Sequence, residues 1–407
     1  MQYRLSADGD KRLTDFVDRI GAVLGNKKRR ESFAAYAMGL LGDGDRKSVE
    51  PIAARLCPDP KAVDALHQRL LHFASVSEWS DSEVRDEARN YALPLMTHRD
   101  PVEAWILDDT GFMKQGIHSV GVQRQYTGSV GKVANCQIGV SLCVATRDQQ
   151  LPIDFELYLP KSWTEDPARR AEAGIPEEIT FKTKIELAVD MLRRAVGNEV
   201  PRGVVLADSF YGDSAWFRRE IRGLGLNYAV GVSCEAKAWS VDELGNRSGV
   251  GARLDQIAAE TPRRSIRRVT WREGTKGPLS ARFATRRVVP CHNDGVPDSE
   301  REEITLVIEW EDGKKEPSRY FFSSLPPSLS NKQLVRIIKQ RWRTEQLYQE
   351  LKGELGLDHF EGRKLRGWNH HVSVALCCYA FVAAERSGAF SPSGERAEDT
   401  SPESLAA

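Results

Sequence analysis

Long apolar runs are missing from this sequence of 407 residues. No stretch approaches the ~20 apolar residues that span a bilayer, so no membrane partner is expected. Net charge is missing too. The 58 Lys and Arg balance 58 Asp and Glu, which leaves local patches, acting over about a Debye length of ~10 Å, to reveal a charged partner. The opening MQYRLSADGDKRL has no apolar core and no small-residue cleavage site, so a secretory signal is not expected. The seven cysteines (Cys57, Cys136, Cys143, Cys234, Cys291, Cys377 and Cys378) form no CxxC pair, and several sit in apolar runs such as LCVA and ALCCYAF. Reduced, buried thiols in a cytoplasmic, nucleoid-associated prokaryotic protein are the expectation. The eight histidines form no HExxH and no Cys/His zinc spacing, and the adjacent His370 and His371 point to different sides of a helix. With 41% apolar and 29% charged residues, collagen-like, disordered and repeat-dominated chains are excluded, and the length suits two or three domains.

What is present changes texture along the chain. Residues 1–95 read as helical: Phe16, Ile20, Val23 and Leu24 recur at helical spacing, as do Phe33, Tyr36, Ala37 and Leu40. Between the two sets lie Lys27, Lys28, Arg29 and Arg30. The stretches VEPIAARL and KAVDALHQRLLHFASV repeat the amphipathic pattern. Two readings stay open here, a small bundle with solvated basic loops or a helical DNA-binding domain that sets its cations against phosphates. Residues 96–234 turn to strands. AWILDD, NCQIGVSLCVAT, PIDFELYLP, GVVLAD and LNYAVGV surround a helix expected over about 182–196. Strands alternating with helices imply an α/β layer with acids at or just after strand ends.

Residues 235–325 break that rhythm with the antiparallel-type strands RRVTW, ARFATRRVV, EITLVIEW and RYFFSS. From Arg253 to Arg287 there are ten Lys and Arg against three Asp and Glu, interleaved with Trp271 and Phe283. That pattern suits either a solvated face or a nucleic-acid surface. Within residues 326–386, one helix is expected over about 331–355 with Ser330 as its N-cap. A last apolar helix, HHVSVALCCYAFVAAE, is expected to pack on the sheet. The Ser/Pro/Glu-rich end, 387–407, reads as disordered.

Three acids are candidates for chemistry: Asp109 and Asp208 after strands and Glu345 in the long helix. Carboxylates at neighbouring strand ends, joined by one from a facing helix, can hold two divalent cations and so support phosphodiester cleavage. Each acid alone is equally a cap or turn residue, and Asp208 followed by Ser209 suits a helix cap. Arg341, Glu345 and Lys352 share one helix face. Trp342, Leu347, Tyr348 and Leu351 imply that much of this helix is buried, where charges need partners.

The run Arg341-Trp342-Arg343-Thr344-Glu345, continued by Lys352, resembles the Y-x2-R-x3-E-x6-K signature of cut-and-paste insertion-sequence transposases of the DDE superfamily; the Tyr position is Ile338 here. LDDTGF at 107–112 and ADSFYGD at 207–213 resemble the family's first and second Asp motifs, and LKGELGLDHFEGR at 351–363 resembles the segment after its Glu. The resemblance implies an RNase H-like mixed-sheet catalytic core with a β-rich insertion and an N-terminal helical domain. It implies Asp109, Asp208 and Glu345 as ligands of two Mg²⁺ ions, with Mn²⁺ as a substitute. Asp109 is chosen over Asp108 because it directly precedes Thr110. It further implies that Arg341 and Lys352 contact DNA near the cut bond, and that Trp271 or Trp310 stacks on a displaced base. The partners implied are terminal inverted repeats and target DNA, gripped by a homodimer on paired ends. Two other functions remain: a catalytically silent transposase-derived DNA-binding protein such as a repressor, and a hydrolytic nuclease of the same fold.

Overall fold

Helices fill the N-terminal quarter as the spacing predicts. The computed structural model describes residues 7–98, 100–241, 251–274, 277–291 and 301–389. Five helices come first: α1 (Ala7–Val23), α2 (Lys27–Leu41), α3 (Val49–Leu56), α4 (Pro60–Ser75) and α5 (Asp81–Thr97). Phe16, Ile20, Leu24, Phe33, Tyr36, Ala37 and Leu40 are all buried. The four cations Lys27–Arg30 form the first turn of α2 rather than a loop. The side chain of Asn26 accepts the Arg29 amide at 2.9 Å, and this cap starts the helix just before them.

The strands follow: β1 (Ala104–Met113), β2 (Gln123–Thr127), β3 (Lys132–Ala145) and β4 (Gln150–Tyr158). Next come α6 (Lys161–Thr164), α7 (Pro167–Ala173), α8 (Lys184–Gly197), β5 (Val204–Ala207), α9 (Ser209–Gly212), α10 (Ala215–Gly223) and β6 (Tyr228–Val232). β3 runs antiparallel to both β1 and β4, while β1, β5 and β6 are parallel neighbours. The resulting order β4-β3-β1-β5-β6 is the RNase H-like mixed sheet that the resemblance implies. α8 starts at a capping box between Thr183 and Glu186 and buries Leu187, Ala188, Met191 and Leu192.

The β-rich stretch contains β7 (Lys237–Ser240), β8 (Ala252–Arg253), α11 (Leu254–Ala259), β9 (Arg267–Gly274), β10 (Gly277–Cys291), β11 (Ile304–Trp310) and β12 (Arg319–Ser323). It is no separate layer. β12 pairs antiparallel with β6, and β11, β10, β7 and β8 continue outward with β9 beside β10, giving one sheet of twelve strands among the described residues. Every residue of β11 (ITLVIEW) is buried, the polar Thr305 and Glu309 included.

The single helix expected over 331–355 is two helices, α12 (Asn331–Ile338) and α13 (Trp342–Gly353), joined by a 3₁₀ turn at Lys339–Arg341. Three successive side chains in that turn reach three different partners. Lys339 pairs with buried Glu309, Gln340 donates to Glu103, and Arg341 pairs with Asp108. The tighter turn aims all three at once. Ser330 caps α12 as predicted, in a capping box with Gln333.

α14 (Leu365–Ala384) is buried on nearly all sides, because its sequence is apolar all round. It packs on the sheet as expected, with Trp368 against Phe112 and Phe155. Its other side forms the centre of the N-terminal helices, which sequence spacing did not foresee. Tyr36 Oη and His371 Nδ1 lie 2.7 Å apart, His370 stacks on Trp79, and Arg85 donates to Ser373 Oγ at 2.9 Å. A π-helical turn, Glu385–Ala389, occupies the start of the expected tail, and Glu385 is gripped by Arg12; residues 390–407 lie outside the described residues. No helix among the described residues is long and apolar enough to cross a membrane.

Candidate active site

β1 carries its two consecutive acids mid-strand, not at the strand end that the sequence predicts, because pairing with β3 continues to Met113, and strand alternation turns them to opposite faces. Asp108 faces α13. Its Oδ2 accepts from Arg341 Nη1 at 2.9 Å, and its partner position on β3 is Ser141, whose Oγ lies 2.7 Å from the Tyr348 hydroxyl. Asp109 faces α8. Its Oδ2 lies 2.6 Å from Lys184 Nζ and accepts from Tyr211 Oη at 3.4 Å.

Asp208 follows β5, two positions beyond Leu206, which pairs with Ile106 on β1. Continuing that register sets Asp208 beside Asp108. The cap reading of Asp208 holds: Oδ1 accepts from the amides of Phe210 and Tyr211 at 3.0 and 3.4 Å and so starts α9. Oδ2 has no hydrogen bond among the described residues. α9 sits hard against β6. A Cβ at Gly212 would lie 1.9 Å from the Gly231 carbonyl oxygen, so glycine is required for Asp208 to be held at this height.

The electrostatics reflect this crowding. Burial, with the charges of Asp208 and Asp109 adding to it, pushes the Asp108 carboxyl up to about 7 against the opposing pull of Arg341. Burial and the neighbouring acids raise the Tyr211 and Tyr348 hydroxyls well above their ordinary value, so both phenols stay protonated. Burial lowers the Lys352 ammonium.

Arg341, Glu345, Tyr348 and Lys352 lie along one face of the turn and α13. Lys352 spends two of its three donors on β1, giving hydrogen bonds to Thr110 Oγ1 (2.8 Å) and Gly111 O (2.7 Å), with its ammonium 5.0 Å from the Phe112 ring centre. Glu345 is exposed and has no hydrogen bond or ion pair among the described residues. The fold therefore brings Asp108, Asp208, Arg341 and Lys352 together where β5 ends beside β1, with Glu345 on the helix above them and Asp109 turned toward α8 on the other face of β1. Among the described residues, no three His, Cys, Asp or Glu side chains converge closely enough to hold a metal ion. The donors still fit a Mg²⁺ or Mn²⁺ site in kind, as hard oxygens on adjoining strands with one carboxylate oxygen of Asp208 unengaged.

The remaining candidates are dispersed. Lys27, Lys28 and Arg30 are exposed at the start of α2, with Arg29 half-buried. Trp271 is half-buried, edge-on to Phe283 at 5.9 Å, with Lys339 Nζ 4.7 Å from its ring centre; Trp310 is buried and offers no face to a base. Arg263, Arg264 and Arg267 are exposed and unpaired among the described residues, whereas Arg268 pairs with Asp312 and Arg287 with Glu303. Sequence reasoning missed Lys184, Tyr211, Phe210 and Tyr348 as site residues. Tyr211 and Phe210 lie inside the ADSFYGD motif, but nothing in spacing ties Lys184 to an acid 75 positions away.

A family model described as DDE superfamily endonuclease matches residues 19–278, well over half of the chain. The chain belongs to this DDE family. A second model, described as Transposase DDE domain, matches residues 182–381. The first DDE match holds Asp109 and Asp208, and the second holds Asp208 and Glu345. The probable transposase for insertion sequence element IS701 of Microchaete diplosiphon is 27% identical over 233 residues, 57% of this chain and 56% of that protein. The DDE chain thus spans little more than half the length of this relative.

Proposed function

We propose that this protein is a DNA transposase that cleaves DNA at the ends of an insertion sequence and joins the freed 3′ ends to target DNA. The observation that carries this reading is that the acidic pair of β1 lies level with Asp208 after β5, and that Arg341 of the Arg341–Glu345–Lys352 face reaches it at Asp108. Asp109, Asp208 and Glu345 would hold two Mg²⁺ ions, whose chemistry is to activate the attacking oxygen and stabilise the leaving one in phosphodiester transfer. Cleavage and joining are both phosphoryl transfers, so one site serves both. Arg341 and the third donor of Lys352 bind backbone phosphates beside the cut bond. The exposed arginines of β9 and the preceding turn hold the flanking duplex, with Trp271 as a contact for a displaced base. The first turn of α2 contacts the terminal repeats. Four cations there oppose the helix dipole, an arrangement that an anionic partner relieves. The active form on paired ends is a homodimer.

One observation favours the silent, repressor-like alternative: the three acids are not gathered, and both β1 aspartates are engaged by cations. The deciding experiment incubates the purified protein with DNA carrying the element's ends, in Mg²⁺ or EDTA, and resolves products on a denaturing gel. Mg²⁺-dependent cuts and joined products, both lost in Asp208→Ala, support the transposase. Cuts without joining indicate a nuclease, and binding without cutting in Mg²⁺ or Mn²⁺ indicates the repressor.

A further inference from the structure

Lys184 opens α8, and its side chain crosses to β1. Its ammonium lies 2.6 Å from Asp109 Oδ2 and 4.0 Å from the centre of the Phe210 ring. The ion pair is largely shielded, with 19% and 17% of the two side chains exposed, whereas Phe210 is half exposed. Apart from Lys184, the Asp109 carboxylate accepts only the long hydrogen bond from Tyr211 among the described residues. A shielded carboxylate beside two other acids is costly unless a cation neutralises it, and Lys184 is the cation this chain supplies. The ammonium covers one of the two oxygens that a metal-ligating Asp109 would offer, and sets a positive charge where a divalent ion would come.

We propose that Lys184 is a displaceable placeholder: its ammonium occupies a cation position at Asp109 and must withdraw before a divalent ion binds there. This rests on the reading of Asp109 as a metal ligand. The flexible four-carbon stem permits the withdrawal, and the Phe210 ring offers the released ammonium a second favourable contact. The arrangement keeps Asp109 ordered and neutralised in the metal-free protein. It also makes metal affinity weaker than the donor set alone would give, because each binding event breaks an ion pair.

The test uses the full chain without DNA, titrated with Mn²⁺ while free Mn²⁺ is followed by electron paramagnetic resonance. Lys184→Met removes the ammonium and keeps the stem's bulk. It is expected to bind Mn²⁺ about tenfold more tightly than wild type, since a shielded ion pair no longer has to be broken. Lys184→Arg, which grips a carboxylate through two donors, is expected to bind more weakly than wild type and serves if the Met variant fails to fold. Lys182→Met removes a charge that pairs with Asp190 instead, and is expected to stay within about twofold of wild type. Equal binding by wild type and Lys184→Met overturns the inference alone, as does an equal gain in Lys182→Met, which would indicate a general field effect. No Mn²⁺ binding by wild type or any variant overturns the metal-site reading and this inference together.

Discussion

The guanidinium of Arg341 meets the carboxylate of Asp108 at 2.9 Å, tying the 3₁₀ turn before α13 to the acidic middle of β1. The pair offsets part of the burial that pushes this carboxyl up to about 7. Arg341→Gln should therefore lower stability by about 1–3 kcal/mol, by leaving Asp108 unpaired. Asp108→Asn should recover part of that loss in the double variant. Chemical denaturation of both single variants and the double checks the coupling; strictly additive changes would mean that the pair contributes nothing.

Glu345→Gln keeps size and helix propensity while removing a charge from an exposed side chain without internal partners. End cleavage should disappear, while thermal stability and end binding in EDTA stay close to wild type. Cutting at the wild-type rate would remove Glu345 from the proposed ligand set.

Lys352→Ala separates bracing from DNA contact. Loss of its hydrogen bonds to Thr110 and Gly111 should lower stability by about 1–2 kcal/mol. If its third donor also meets a phosphate, the slope of log affinity against log salt should flatten by about 0.9. A lowered melting temperature with an unchanged slope would make Lys352 a brace only.

Gly212→Ala tests how Asp208 is held. The new methyl would overlap the Gly231 carbonyl, so the α9 turn must shift, at about 1–3 kcal/mol. Cleavage should fall far more than end binding, because the displaced residue is the cap of that turn.

Stability should fall in mild acid. Burial lowers His370 and His371 from 6.5 to about 4. The unfolded chain takes up protons near pH 6.5 that the native protein refuses, so the contribution is complete above that pH. It is lost as pH drops toward 4, by up to about 3 kcal/mol per ring. Melting temperatures at pH 7 and pH 5 measure this. His371→Gln, which keeps a donor for the Gly356 carbonyl, should be less stable at pH 7 and show a flatter pH dependence.

β1 and β5 were legible as strands because their apolar runs are continuous, but only β5 stops at its acid; β1 runs on to Met113, since its pairing with β3 continues past Asp109. Ser330 was legible as a cap because Gln333 completes its box. Alternation along β1 also shows that Asp108 and Asp109 face opposite ways, but not that Arg341 and Lys184 meet them, since those contacts exist only once distant segments pack. The break at Lys339–Arg341 was hidden for the same reason: its sequence favours helix, and three tertiary contacts override that preference. β7 and β8 are too short to show a period. The joining of the insertion to β6 depends on pairing edges that carry no sequence mark.

His371 and Tyr36 stand 335 positions apart, yet they share one buried hydrogen bond. Helices α1–α5, synthesised before α14, therefore lack their central packing partner until α14 has emerged. Contacts of such long range form late and slowly. The helices made before the acidic strands should therefore complete their packing after them, and the basic turn of α2 is expected to reach its final setting only once α14 has docked.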